Sequence, residues 1–155
     1  MSQTIMEYYA RDHDRLDGLF KTFQSTKQTS FQKAREAFVE FKFGLQRHII
    51  WEEDILFPLF EKKTGMGKAA GPTAVMRTEH REIRDALEGI HSKVAKKDPD
   101  SGEAEQRLVT VLTQHNLKEE EILYPAIDRF LTETERQTVF KRMEEIPPER
   151  YETCC

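Results

Sequence analysis

The chain has 155 residues, 34% of them charged and 37% hydrophobic, with only seven Gly and six Pro. That is one ordinary domain, large enough to bury a real core, with a composition that favours helix over sheet or disorder. The net charge of -4 is mild and no basic block stands out, which argues against a nucleic-acid partner.

The opening MSQTIMEYYARDHD has neither a basic start nor an apolar signal core. No later run approaches the roughly 18 apolar residues that span a bilayer. A cytoplasmic protein with no membrane partner is therefore expected. In the first helix Ile5, Tyr9, Leu16, Phe20 and Phe23 fall on one stripe, and His13 fills the gap in it. Thr4 with Glu7 predicts a capping box at its start. The second helix reads Phe31, Ala34, Phe38, Phe41, Leu45, His48, Glu52, Ile55 and Leu59, in alternating steps of three and four. The third reads Met76, His80, Ile83, Leu87, Ile90 and Val94, and the fourth Leu108, Leu112, His115, Glu119, Ile122 and Ala126.

Breakers divide the helices at Ser25 to Thr29, Thr64 to Thr73 and Asp98 to Gly102. Pro58 and Pro125 are expected to kink or terminate their helices. A last short helix is predicted from a cap at Thr132 to about Glu145, stopped by Pro147 and Pro148. The expected architecture is all-α: an up-down-up-down four-helix bundle over residues 1–131, with a short C-terminal helix and flexible tail over 132–155. Cys154 and Cys155, the only cysteines, sit on that tail and read as free thiols.

The bundle is two copies of one helical hairpin. His48 follows His13 by 35 residues, His115 follows His80 by 35, and a shift of 67 lays EEDILFP on EEEILYP. The repeat implies two nearly equivalent half-sites about a pseudo-twofold axis. The four stripes carry six polar residues, three from each half: His13, His48, Glu52, His80, His115 and Glu119. Unpaired carboxylates among Leu, Phe and Ile lose several kcal/mol of hydration or are forced to protonate unless something cationic compensates them, on the order of a few kcal/mol each. Four imidazoles and two carboxylates at one level suit a pair of borderline divalent metals, iron above all. His91 lies beside the stripe and reads as a surface residue. Glu53 and Glu120 repeat but step off the seam, where hydrogen bonding behind the ligands or plain solvation suits them. Tyr9, one turn before His13, is open to two readings: a donor to a metal-bound oxygen, or a core aromatic with its hydroxyl satisfied elsewhere.

The pattern H…HxxxE…H…HxxxE, carried by His13, HIIWE (His48 to Glu52), His80 and HNLKE (His115 to Glu119), resembles the hemerythrin-like, HHE cation-binding family over nearly the whole chain. The resemblance implies an up-down bundle around two non-haem iron ions with an oxo or hydroxo bridge, with zinc or manganese able to enter in vitro. It further implies that His13 and His48 hold one iron, His80 and His115 the other, and that Glu52 and Glu119 bridge them. Oxygen-carrying members use HxxxH on the third helix; here the flanking positions are Met76 and Arg84, so both metals are expected to keep open positions. Carriers also place the last carboxylate one residue later, at Glu120, whereas the internal repeat favours Glu119. Family members are associated with oxygen binding, peroxide breakdown and oxidative or nitrosative stress. The repair members carry an N-terminal cysteine-bearing segment, to which Cys154 and Cys155 do not correspond. The expected function is to bind or turn over a small oxidant: dioxygen, hydrogen peroxide or nitric oxide. The alternative is an iron, oxygen or redox-sensing module acting through an unknown protein partner.

Overall fold

The computed structural model describes residues 3–67 and 70–151. Cys154, Cys155 and the expected flexible tail lie outside the described residues, as does part of the connection between the halves. Four rods make the bundle. The first is α1 (Ile5–Thr26), which starts at the expected Thr4–Glu7 capping box. Asp128 adds a second cap from the far end of the chain, accepting the Ile5 and Met6 N–H groups at 2.9 and 3.0 Å. The second rod is α2 (Phe31–Trp51) continued by α3 (Phe57–Thr64), the third is α4 (Pro72–Ala95), and the fourth is α5 (Gly102–Lys118) continued by α6 (Tyr124–Phe130). Helix α7 (Glu133–Glu145) begins at a capping box of Thr132 and Glu135, as the sequence predicts. Among the described residues, no helix is long and apolar enough to cross a membrane.

Neither Pro58 nor Pro125 ends its helix. A π turn directly before each proline, Glu52–Leu56 and Glu119–Leu123, sends the next N–H back five residues, from Phe57 to the Glu52 carbonyl and from Tyr124 to the Glu119 carbonyl. The proline that follows has no N–H to place, and the helix resumes. The inserted residue moves the seam. The sequence expects Ile122 and Ala126 inside after Glu119, but Leu123 and Ile127 are buried, while Ile122 is 62% exposed. The matching Ile55 stays buried because it joins the cluster formed with Val139, Met143 and Tyr151 from the C-terminal segment, a cover the second half lacks among the described residues.

Two apolar clusters flank the level of the histidines. One is rich in phenylalanine, with Phe20, Phe23, Phe38 and Phe41. The other gathers Ile5, Tyr9, Trp51, Phe57, Phe60, Tyr124 and α7. His91 departs from its expected surface position: it is half-buried, and its Nδ1 lies 2.9 Å from the buried Lys42 ammonium.

Candidate metal centre

Between the two clusters the seam turns polar. His13, His48, Glu52, His80, His115 and Glu119 are all buried, the two glutamates completely. The four imidazoles are held from behind in the same way. The Nδ1 atoms of His48 and His115 meet Asp12 at 2.8 Å and Glu79 at 2.9 Å, one residue before the histidine of the neighbouring helix. Those of His13 and His80 meet Glu120 at 2.9 Å and Glu53 at 2.7 Å, one residue after each inward glutamate. Each carboxylate accepts the Nδ1 proton, so the Nε2 atoms point inward. The arrangement repeats across the 67-residue shift. Glu53 and Glu120 thus stand behind the histidines. Asp12 and Glu79 were missed by sequence reasoning, although the Asp12-His13 and Glu79-His80 pairs of the repeat contained the signal.

On the inner side the atoms crowd together. His13 Nε2 lies 3.2 Å from His48 Nε2 and 3.3 Å from Glu119 Oε1, while Glu119 Oε2 is 3.2 Å from His115 Nε2. Glu119 therefore spans both halves, one oxygen to each. Glu52 Oε1 lies 3.2 Å from His80 Nε2 and 3.6 Å from His48 Nε2. Its Oε2 accepts the Tyr124 hydroxyl at 2.7 Å. The donor atoms fall into two groups of metal-binding size, Glu52 with His80, His115 and Glu119, and His13 with His48 and Glu119.

Protons partly offset the buried charge. Burial opposes the cation at His13, but Glu119 and Glu120 outweigh it and raise the imidazole to about 9. At His80 burial is likewise overcome by Glu52 and Glu53, again to about 9. Burial and the Glu119 charge push Glu52 up, whereas the charge on His115 and the close approach of His13 overcome burial at Glu119 and hold it well below the usual carboxylate range. Protonation does not satisfy the geometry. Glu52 Oε1, both oxygens of Glu119, His80 Nε2 and the Tyr9 hydroxyl are buried with no hydrogen-bond partner. Such groups are costly in a low-dielectric interior, and four of these five atoms are metal-ligand donors facing one another. A pair of divalent cations fits the donor set, with mixed imidazole and carboxylate suiting iron.

The two half-sites are less alike than the repeat implies. Tyr9 packs edge-on against His48 at 4.7 Å between ring centres, and Tyr124 reaches within 3.2 Å of His48 Nε2. Their repeat counterparts are Met76 and Phe57, and Phe57 stacks on His80 at 5.8 Å. Phenols thus border one half, and apolar groups border the other. Neither open reading of Tyr9 is complete: it is a core aromatic, but its hydroxyl is not satisfied elsewhere.

Fold and site together define a helical bundle built around a buried histidine–carboxylate cluster of cation-binding type. A family model, the Hemerythrin HHE cation binding domain, matches residues 4–127, and the chain belongs to that family. It is 26% identical over 136 residues to the iron-sulfur cluster repair protein YtfE of Edwardsiella ictaluri (strain 93-146), a match covering 78% of this chain and 61% of that protein. The chain thus spans about three fifths of that relative's length. No solved structure matches it at a significant level.

Proposed function

We propose that His13, His48, Glu52, His80, His115 and Glu119 hold two iron ions and that the protein turns over a small oxidant there, hydrogen peroxide foremost. The observation that carries this reading is the set of partnerless buried donor atoms on Glu52, Glu119 and His80. Bound iron would supply redox and Lewis-acid chemistry that none of these side chains has alone.

The chain's own part is orientation and exclusion. Four carboxylates fix the tautomers and ring planes of the four histidines. Glu119 reaches both halves, which suits it to bridge. Tyr124 donates to one oxygen of Glu52 and leaves the other facing His80 and His48. Ile5, Met76, Leu123 and Phe57 are buried in the apolar cluster that adjoins the site. Met76 and Arg84, one turn to either side of His80, supply no further imidazole. Four histidines with no fifth imidazole would leave bound iron an open position, which suits reduction of peroxide better than reversible carriage of dioxygen.

The test is anaerobic ferrous loading followed by dioxygen, peroxide and nitric oxide in turn, with optical spectra and peroxide assay. Rapid autoxidation and catalytic loss of peroxide are expected. A long-lived, reversible dioxygen complex without peroxide loss contradicts the reading. A second reading, a part in iron-sulfur cluster repair, rests on the likeness to the relative of that name. Iron-dependent recovery of a damaged cluster protein, at a rate exceeding that of free ferrous ion, distinguishes it.

A further inference from the structure

The chain's readily oxidised rings are unevenly placed. Its four tyrosines and one tryptophan all avoid the phenylalanine-rich end of the bundle. Instead they form one continuous path that starts at the histidine cluster. The Tyr124 hydroxyl lies against Glu52 and His48. Its ring stacks on Tyr9 at 4.9 Å, and Tyr9 meets Tyr8 edge-on at 5.6 Å. Tyr8 is 6.1 Å from Trp51, which is 6.1 Å from Tyr151 and donates its indole N–H to the Tyr151 hydroxyl at 2.6 Å.

Packing alone does not call for these residue types, and the internal repeat provides the control. The counterparts of Tyr8, Tyr9 and Tyr124 are Val75, Met76 and Phe57. Met76 and Phe57 are buried in the other half and fill their positions without a phenol. Phenol and indole lose a single electron far more readily than a phenyl ring, and rings in contact exchange one readily. The hydroxyl of Tyr9, buried without a partner, costs stability that Phe would not.

The path meets solvent at Tyr8. This half-buried ring lines an open pocket of about 240 Å³ with Gln3, Arg11, Asp12, Arg15 and Arg47. The lining carries three guanidiniums against one carboxylate; Asp12 is engaged by His48 and Arg15, and Glu144 also acts on Tyr8, which leaves the pocket positive through Arg11 and Arg47. Arg47 lies over Trp51 at 5.0 Å with a buried Nε that has no hydrogen-bond partner. A small organic anion fits this chemistry.

We propose that Tyr124, Tyr9 and Tyr8 conduct single electrons between the metal centre and this pocket, where a small reducing anion of the enediolate class docks. The relay rests on the peroxide reading above. In each step Tyr8 passes one electron inward and releases its phenolic proton to water. The enediolate monoanion then returns an electron and a proton to Tyr8, re-forming the O–H bond. Its one-electron product repeats the step with a proton from water and leaves as the dicarbonyl. Two electrons and two protons from water break the O–O bond of peroxide and give two waters. The net reaction consumes one enediolate monoanion, one proton and one peroxide.

The test uses the full chain loaded with iron, with metal content measured on every sample and ascorbate as the anionic probe. Peroxide without reductant should yield a tyrosyl signal by freeze-quench electron paramagnetic resonance, and oxidised Tyr8 and Trp51 by peptide mass mapping. Zinc-loaded protein should show neither. Tyr9→Phe should lose oxidation at Tyr8 and Trp51 at unchanged iron content. Should that variant fold poorly, Tyr8→Phe should keep the inner tyrosyl signal but resist quenching by ascorbate. Arg11→Glu should need about tenfold more ascorbate for the same quenching, with quenching by a neutral hydroquinone unchanged. Oxidation at Tyr8 that persists in Tyr9→Phe, or an ascorbate requirement unmoved by Arg11→Glu, overturns the relay alone. Protein that takes up no iron overturns the relay and the di-iron reading together.

Discussion

Removing metal should uncover a loss of stability on the alkaline side of neutrality. In the metal-free protein His13 and His80 keep their protons up to about pH 9, because the neighbouring glutamates outweigh burial. In the unfolded chain both titrate near the ordinary 6.5. A folded value above the unfolded one means that the folded state binds more protons between the two. The stabilisation is therefore complete below about pH 6.5 and is lost as pH rises through about 9. A rise from 6.5 to about 9 corresponds to roughly 3 kcal/mol for each imidazole. The two histidines share the Glu52–Glu119 pair, so about 3–6 kcal/mol is expected for both together. For a chain of this size that lowers Tm by about 6–24 °C across the window. In the loaded protein metal takes the place of the protons, so its Tm should hold level or rise over the same range. Thermal melts of chelator-treated and zinc-loaded protein from pH 6.5 to 9 give both curves. If the metal-free curve is flat, or runs parallel to the loaded one, His13 and His80 are not coupled to Glu52 and Glu119 in this way.

Asp12→Ala removes the acceptor that orients His48 and should weaken metal binding about 10–100-fold, as read by competition with a chromophoric chelator. Unchanged affinity would show that His48 needs no such support. Gly44→Ala and Gly18→Ala should move stability in opposite directions in urea melts. A Cβ at Gly44 meets Leu16 at 2.8 Å and Arg15 at 2.9 Å, and this overpacking should exceed the gain in helix propensity and cost about 1 kcal/mol net. Gly18 has nothing within 4 Å, so alanine there should gain about 0.5–1 kcal/mol. Met76→His places an imidazole one turn before His80 and should slow peroxide consumption if an open position sets the rate. A rate unchanged although the new histidine binds iron would remove that role from the missing ligand.

The rods, the repeat and the inward placement of six polar residues were legible because each rests on local periodicity. The seam beyond Glu52 and Glu119 was not. Steps of three and four extrapolate straight through a π turn, whereas the inserted residue moves burial from Ala126 to Ile127 and leaves Ile122 outside. That Ile55 is covered while Ile122 is bare depends on where α7 packs, a long-range contact that no local pattern encodes. Behind the site, Glu53 and Glu120 drew notice as repeated residues, and the structure gives each a histidine to hold. Asp12 and Glu79 act across to a neighbouring helix, so their role emerges only once the helices are side by side. The repeat also concealed a difference. The ligands match, but Tyr124 corresponds to Phe57 and Tyr9 to Met76, so the surroundings of the two halves differ.

The central claim is that the orphaned donors of Glu52, Glu119 and His80 exist to hold two metals. Anaerobic titration of the metal-free protein with ferrous iron, with bound metal counted per chain after removal of the excess, tests it most directly. Saturation should come at about two irons per chain, one for each histidine pair. Saturation at one, or no uptake by protein shown to be folded, would contradict the account.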